Sequence, residues 1–279
     1  MVSSLWHRPV ASLRRSSAHI HRWFQTPVGQ EILAQELELI DLCRQEYKGE
    51  VMAQISGSGQ RLLGQPSRKR QKIVISAHSP SVYDYELYAE EGDNYSWIQC
   101  DNEKIPLEDG SIDFLVLHHV LEFSENPHSA LREAARVLAP HGNLVLICFN
   151  PYSLFGLRKS LQLVMHNAIP WAHHGLSCKR VSDWLQLTSC YPINTANGFY
   201  AFPFQWRGFL RRMAGIDRWL TRWGIAGGGF YVIHACKEVM TPIKTKKARQ
   251  APRLIEFPTA VSAANTSIKS TTINKSKTE

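Results

Sequence analysis

Two continuous apolar runs, separated by a helical pattern, constrain the fold more than any other feature of the sequence. The runs are SIDFLVLHH (111–119) and NLVLICF (143–149), and NPHSALREAARVL (126–138) lies between them. A strand without polar alternation is typical of a parallel sheet that is covered on both faces. The middle segment places its apolar residues at helical spacing and carries Pro127 near its start. Strand, helix and strand in this order predict an α/β fold with right-handed crossovers.

Shorter patterns before and after this unit extend the prediction. Thr26 and Pro27 favour a helix start, and the apolar spacing that follows predicts a helix over 27–46. Strands are predicted at EVMAQIS, KIVISA, YSWIQC, INTANGFYAF and FYVIHAC, and a helix at CKRVSDWLQLT. The segment 206–223 is a basic amphipathic helix, for which we expect packing on the body first, a lid or lipid contact second and membrane docking third.

The positive charge of the 279-residue chain belongs to its ends. The formal net charge is +8, of which residues 1–30 carry +4 and residues 239–279 carry +6, so the body between them carries −2. We expect a basic N-terminal arm at 1–25, one folded domain at 26–238 and a disordered basic tail at 239–279. The arm fits a cytoplasmic protein or a mitochondrial transit peptide.

Several classes of protein are not indicated. No apolar run approaches the roughly 20 residues of a membrane span. The six cysteines have neither C-x-x-C nor histidine-rich ligand spacing, so the sequence predicts no metal site and no disulfide framework. Because the body is slightly acidic, the sequence predicts no specific nucleic-acid groove across it, although the basic ends could hold nucleic acid or acidic lipid weakly.

Polar or glycine residues follow three of the predicted strands. They are Ser56-Gly57-Ser58-Gly59, Asp101-Asn102 and His118-His119. In an open α/β sheet, ligands bind outside the carboxyl ends of the strands. An aspartate there can accept hydrogen bonds from an exocyclic amine or a ribose hydroxyl. We therefore expect one cleft, roughly 10 Å across, that brings Gly57, Asp101 and one histidine together.

A block of 47 residues, 100–146, resembles a known family. It is similar to the central part of class I S-adenosylmethionine-dependent methyltransferases, in particular the type 11 group that includes quinone- and biotin-precursor methyltransferases. The residues that carry the resemblance are Ile105-Pro106-Leu107, Ser111-Ile112-Asp113, Glu133 with Arg136-Val137-Leu138, and Ala139-Pro140-His141-Gly142.

The resemblance implies a Rossmann-like fold, with a seven-stranded, mostly parallel sheet and helices on both faces. It also implies S-adenosylmethionine as the cofactor, with Asp101 near the adenine amine and the Asn102 backbone near the ring. Glu133 and Arg136 would act in packing and ion pairing. The cofactor residues implied in all are Ser56, Gly57 and Gly59 in the glycine loop, Asp101 and Asn102, and His118 and His119 along the methionine side. No catalytic base is implied, although His78, His118 and His119 are candidates.

The chain departs from the family pattern in two motifs. Gln54 replaces the acid of the first motif, in which a serine also replaces the first glycine, and the second strand ends in Ser76-Ala77 where the family has a ribose-binding acid. Three hypotheses follow. The protein transfers methyl groups to a small or lipid-like molecule in the cytoplasm, or it is a degenerate methyltransferase fold kept for binding or scaffolding, or it binds nucleic acid through its basic ends.

Overall fold

The computed structural model describes residues 13–45, 49–57, 59–63, 71–77, 95–153, 156, 174–200 and 227–238. In these ranges the chain forms helices α1 (Leu13–Phe24), α2 (Pro27–Gln45), α3 (Pro127–Val137) and α4 (Cys178–Leu187). The strands are β1 (Val51–Ser56), β2 (Gln71–Ser76), β3 (Tyr95–Gln99), β4 (Ile112–His118), β5 (Leu138–Phe149), β6 (Cys190–Gly198) and β7 (Phe230–Lys237).

The seven strands form one sheet in the order β3-β2-β1-β4-β5-β7-β6. The first five strands pair in parallel, and β7 is antiparallel to both of its neighbours, β5 and β6. The predicted Rossmann-like α/β sheet is therefore confirmed. The order reverses between β1 and β4, and such a switch point is where open α/β sheets bind their ligands.

The apolar runs form the centre of the sheet, as their composition predicts. Residues 114–118 of β4 and 144–149 of β5 are all buried, and α3 covers them with Ala130, Leu131 and Ala134. Asn126 caps α3 by accepting a hydrogen bond from the Ser129 amide at 3.3 Å. Continuous apolar strands are stable here because neither face of the central sheet meets water.

Two N-terminal helices pack against the domain. The second, α2, confirms the helix predicted for 27–46, and Thr26 Oγ1 accepts a hydrogen bond from the Gly29 amide at 3.2 Å. The first, α1, begins inside the segment expected to be a basic arm, and its Ile20 and Phe24 are fully buried in the core. Residues 1–12, the helical segment predicted at 206–223 and the tail at 239–279 lie outside the described residues.

The Pro140–Gly142 segment does not separate α3 from a later strand. It lies within β5 and forms a bulge there, because Ile112 pairs with Leu138 while Phe114 pairs with Asn143. His141 takes a positive φ of 60° at this point. A turn-like sequence can therefore be absorbed inside a strand when the neighbouring strand skips the inserted residues.

Arg136 ties α3 to the loop that precedes β4. Its guanidinium donates to Glu133 at 2.9–3.0 Å, to the carbonyls of Ile105 and Leu107 at 2.8 and 2.9 Å, and to Asp109 at 2.6 Å. The pKa of Glu133 is lowered, first by its hydrogen bond with Arg136. The expected packing and ion-pairing role of these two residues agrees with these contacts.

We expect Arg136→Lys to lower the free energy of unfolding by roughly 1–3 kcal/mol, since an ammonium cannot reproduce the planar fork that holds two carbonyls and two carboxylates. Arg132→Lys, an exposed change on the same helix, is the matched control and should cost less than about 0.5 kcal/mol. Chemical denaturation measures both. Equal effects of the two changes would contradict a specific role for Arg136.

Candidate functional site

A cleft lies at the carboxyl ends of β2 and β3 and has a volume of about 430 Å³. It is bounded by one residue of α1, by the ends of the two strands, by the loop that follows β3 and by the loop that follows a short 3-10 helix, Leu121–Phe123. The lining residues are Leu13, Ala77, Gln99, Cys100, Asp101, Asn102, Glu103 and Glu125. The cleft therefore lies at the carboxyl edge of the sheet, but of the residues expected to meet in one cleft it contains Asp101 and neither Gly57 nor a histidine.

Two of the predicted residues, Asp101 and Asn102, lie on the cleft wall. Asp101 is exposed, and its carboxylate accepts a hydrogen bond from the Glu103 amide at 3.2 Å, which holds the turn after β3. The side chain of Asn102 is buried and donates to the hydroxyl of Ser124. The Asn102 side chain is therefore held by a hydrogen bond within the protein, while the Asp101 side chain is exposed to solvent.

The glycine loop after β1 is shaped by contacts within the protein. The Gly57 amide donates to the His118 carbonyl at 2.9 Å, and a Cβ on Gly57 would lie 2.5 Å from the His119 carbonyl oxygen. Gly59 has a φ of 69°, a conformation that side chains rarely adopt. Both glycines are thus required by the backbone path, whatever ligand the loop meets.

Gln54 holds the same loop from inside β1. Its amide nitrogen donates to the Gln60 carbonyl at 2.8 Å, and its amide oxygen accepts from the Leu62 amide at 2.9 Å. A carboxylate could accept the second of these hydrogen bonds but could not donate the first. Glutamine therefore suits this position better than the acid of the family pattern, because the local backbone offers both a donor and an acceptor to the fully buried side chain.

The two adjacent histidines point to the same side of the sheet because the strand ends between them. His118 is the last residue of β4, and His119 has a φ of 51°. In a regular strand, neighbouring side chains point to opposite faces. The left-handed conformation of His119 removes this alternation, and both Nε2 atoms meet Glu36 of α2, at 3.0 Å for His118 and 2.9 Å for His119.

A second acid completes this buried cluster of Glu36, His118, His119 and Glu122. The Glu122 carboxylate contacts Nδ1 of His119 at 3.0 Å and accepts from the Phe149 amide at 2.7 Å. The phenyl ring of Phe149 stacks on His119 with 3.9 Å between ring centres. All four members of the cluster have no exposed surface. Such a cluster resists change, because removing one member leaves a buried polar partner unsatisfied.

The carboxylates decide which imidazole is charged. Burial opposes the charged form of His119, but Glu36 and Glu122 outweigh it and raise its pKa to about 9. Burial and the neighbouring His119 lower the pKa of His118 instead. Burial, the largest single effect, also opposes ionisation of Glu36 and Glu122, but the charge of His119 and the hydrogen bonds to each carboxylate together outweigh it and lower both of their pKa values. His119 is therefore the cation of the cluster at neutral pH.

We expect this charge to make stability depend on pH in chelator-treated protein. The pKa of His119 rises from an ordinary value of 6.5 to about 9 on folding, so its contribution is complete below about pH 6.5 and is lost as the pH rises through 9. Denaturation midpoints between pH 6 and 8.5 measure the loss. His119→Asn should remove the slope and exposed His141→Asn should keep it, since asparagine tolerates the positive φ of both positions. If the slope is unchanged in His119→Asn, the pH dependence of stability comes from other titratable groups.

The sequence predicted Asp101 and Asn102 near a cleft, and it did not predict the buried cluster. Ser56, Gly57 and Gly59 shape the loop, and both histidines are covered, so contact between any of these residues and a cofactor stays a prediction. Glu36 was missed, although it interrupts the buried helical series Val28, Ile32, Ile40 at the intermediate position. A carboxylate on the apolar stripe of a helix is a signal that it meets a buried partner.

Comparison with known proteins agrees with the fold. Residues 56–146 match the family model described as a methyltransferase domain. An S-adenosylmethionine-dependent methyltransferase from Thermotoga maritima superposes with a TM-score of 0.55 at 18% identity, over 79% of this chain and 95% of that one. Residues 56–146 are therefore similar to a methyltransferase domain, and the solved structure shares the fold of this chain.

Two curated relatives share part of their sequence with this chain. The uncharacterized protein YafS of Escherichia coli is 37% identical over 111 residues, which are 40% of this chain and 45% of YafS. The ubiquinone/menaquinone biosynthesis C-methyltransferase UbiE of a Ruegeria species is 32% identical over 74 residues, which are 26% of this chain and 30% of UbiE. The chain thus spans less than half the length of the curated relatives it matches.

Proposed function

We propose that this protein transfers a methyl group from S-adenosylmethionine to a small or lipid-like acceptor. The observation that carries the proposal is the cleft at the ends of β2 and β3, with Asp101 exposed on its wall. Its volume of about 430 Å³ falls within the roughly 300–1,000 Å³ of small-molecule sites. The position, outside the carboxyl ends of parallel strands, is where this architecture binds ligands.

The charge of the cleft suits the proposed cofactor. Three carboxylates, those of Asp101, Glu103 and Glu125, line it, and Glu103 is held by the Asn126 amide at 2.8 Å. These acids can accept hydrogen bonds from the amine and hydroxyl donors of an adenosine group. The end of β2 adds no further acid for the ribose at Ser76 or Ala77. The cofactor supplies a methyl group that its positive sulfur already activates. The protein then has to bind and orient the cofactor and the acceptor, and it has to exclude water from the site.

The proposed methyl acceptor is a small or lipid-like molecule. The likeness to UbiE, whose name places it in ubiquinone and menaquinone biosynthesis, supports a lipid-like molecule. A cytoplasmic location and a weak peripheral contact with membranes through 206–223 complete this proposal. No helix among the described residues is both long and apolar enough to cross a membrane.

A binding or scaffold role is the second candidate. It is favoured by the strand end at Ser76-Ala77, which lacks an acid for the ribose, and by the complete burial of both histidines. A transfer assay separates the two roles. The protein is incubated with methyl-labelled S-adenosylmethionine and with either a total lipid extract or a water-soluble extract. Label transferred to either extract supports methyl transfer, and the extract that takes it defines the acceptor class. Cofactor binding without transfer to either would favour the binding role.

Cys100 offers a direct report on ligand binding in the cleft. Burial, followed by the charges of Asp101 and Glu133, raises the pKa of its thiol to about 11. We therefore expect slow alkylation by iodoacetamide at pH 8.5, made roughly tenfold slower by S-adenosylhomocysteine at ten times its Kd. Peptide mass spectrometry measures the rate, with Cys178 on α4 as the internal control. Equal rates with and without ligand would place the ligand elsewhere.

A further inference from the structure

We propose that Glu36, His118 and His119 form a binding site for a divalent transition-metal ion. Both imidazole Nε2 atoms face the same carboxylate, at 3.0 Å from Oε2 for His118 and 2.9 Å from Oε1 for His119. One ligand atom from each residue lies within 4.8 Å of the others. An ion among these atoms could reach all three residues with small side-chain movements.

The other nitrogen of each histidine is held in the way that metal ligands require. Nδ1 of His119 lies 3.0 Å from the Glu122 carboxylate, and Nδ1 of His118 lies 3.1 Å from the hydroxyl of Ser56. Metal-bound histidines almost always engage a carboxylate, a backbone carbonyl or a water molecule with the second nitrogen, which fixes the ring and its tautomer; at His118 the Ser56 hydroxyl takes this place. Here both rings are oriented so that Nε2 is the atom presented to the shared carboxylate.

Charge gives a second argument for a cation. Glu36 and Glu122 are two carboxylates without exposed surface, and Oε2 of Glu122 has no hydrogen-bond partner among the described residues. Buried charge is costly unless it is paired or coordinates a metal. A metal ion would displace the protons on the two Nε2 atoms, so that with neutral imidazoles the four side chains would carry a charge of −2, which one divalent ion would balance.

The ligand types narrow the choice of ion. Two imidazoles and one carboxylate suit zinc, iron, cobalt, nickel or manganese, whereas calcium and magnesium prefer oxygen ligands alone. Because the site is closed to solvent, the ion would serve the structure rather than act on a substrate. It would join α2 to the end of β4, and the chain would acquire it during folding.

The experiment uses the full chain, unfolded with a chelator and refolded with or without Zn²⁺ or Co²⁺. We expect about one tightly held ion per chain by elemental analysis after desalting, and a melting temperature raised by roughly 5–10 °C at saturating ion. Co²⁺ should also give visible absorption bands, which report imidazole and carboxylate ligands. Glu36→Gln should lose the ion, and Glu38→Gln, an exposed change on the same helix, should keep it.

The wild-type protein keeps the proposal testable even if Glu36→Gln does not fold. Wild type that refolds equally well without ions, retains less than about a tenth of an ion per chain and shows no cobalt bands would overturn the proposal. Equal ion content in Glu36→Gln and Glu38→Gln would also overturn it, because the ion would then be held by other histidines or cysteines. None of these measurements depends on binding of S-adenosylmethionine.

Discussion

Replacing Glu36 with alanine is expected to lower the free energy of unfolding by roughly 3–5 kcal/mol, the usual cost of removing one partner of a buried charged pair. The carboxylate contacts Nε2 of His118 and of His119, and all three side chains are fully buried. Without it, His118 loses the partner of one nitrogen, and the charge on His119 is left with Glu122 alone. The change also opens a cavity beneath α2.

Glu38→Ala, on the exposed side of the same helix, is the control and should change stability by less than about 0.5 kcal/mol. Denaturant unfolding, followed by circular dichroism at pH 7 in the presence of a chelator, gives both values. A loss below about 1 kcal/mol in Glu36→Ala would mean that the cluster is not what holds α2 to the end of β4.

Replacing Asp101 with alanine is expected to weaken binding of S-adenosylhomocysteine by about 1–3 kcal/mol, or roughly 5- to 150-fold. The carboxylate is exposed on the cleft wall, where the resemblance places the adenine amine. Removing it leaves that amine without its acceptor. The fold should remain intact, because the described contact that the Asp101 side chain makes within the protein is one hydrogen bond from the Glu103 amide.

Two further variants separate binding from local structure. Asp101→Asn keeps an acceptor for the Glu103 amide and loses the charge, so it should fall between wild type and alanine. Glu108→Ala changes an exposed acid in the same loop that is not among the lining residues of the cleft, and it should bind as wild type does. Equal binding by wild type and Asp101→Ala would remove Asp101 from the proposed site.

The helices and strands that could be predicted from the sequence are those whose pattern of apolar and polar residues fits one kind of element only. The apolar runs of β4 and β5 can be stable only inside a covered sheet, and α3 between them carries its own cap and apolar face. The position of Asp101 followed from the same pattern, since the carboxyl ends of parallel strands meet at one edge of the sheet. These features depend on residues close in sequence, and the structure confirms the elements.

The buried cluster depends on information that short windows of sequence do not contain. Glu36 and His118 are 82 residues apart in the sequence, and their contact depends on how α2 packs over the finished sheet. The alternation rule placed the two histidines on opposite faces of a regular strand, and a single left-handed residue, His119, reverses that outcome. The close approach of Gly57 to the His119 carbonyl is equally a product of the assembled fold.

Direct titration of S-adenosylhomocysteine and S-adenosylmethionine onto the purified full chain tests the central claim. Isothermal calorimetry should show one saturable site per chain with a Kd in the range of roughly 1–100 μM, which corresponds to about 5.5–8.2 kcal/mol of binding free energy. The Asp101→Ala protein, titrated in parallel, should bind more weakly at the same site. If the wild-type protein gives no binding heat with either ligand at millimolar concentration, the claim that this cleft holds the methyl donor is contradicted.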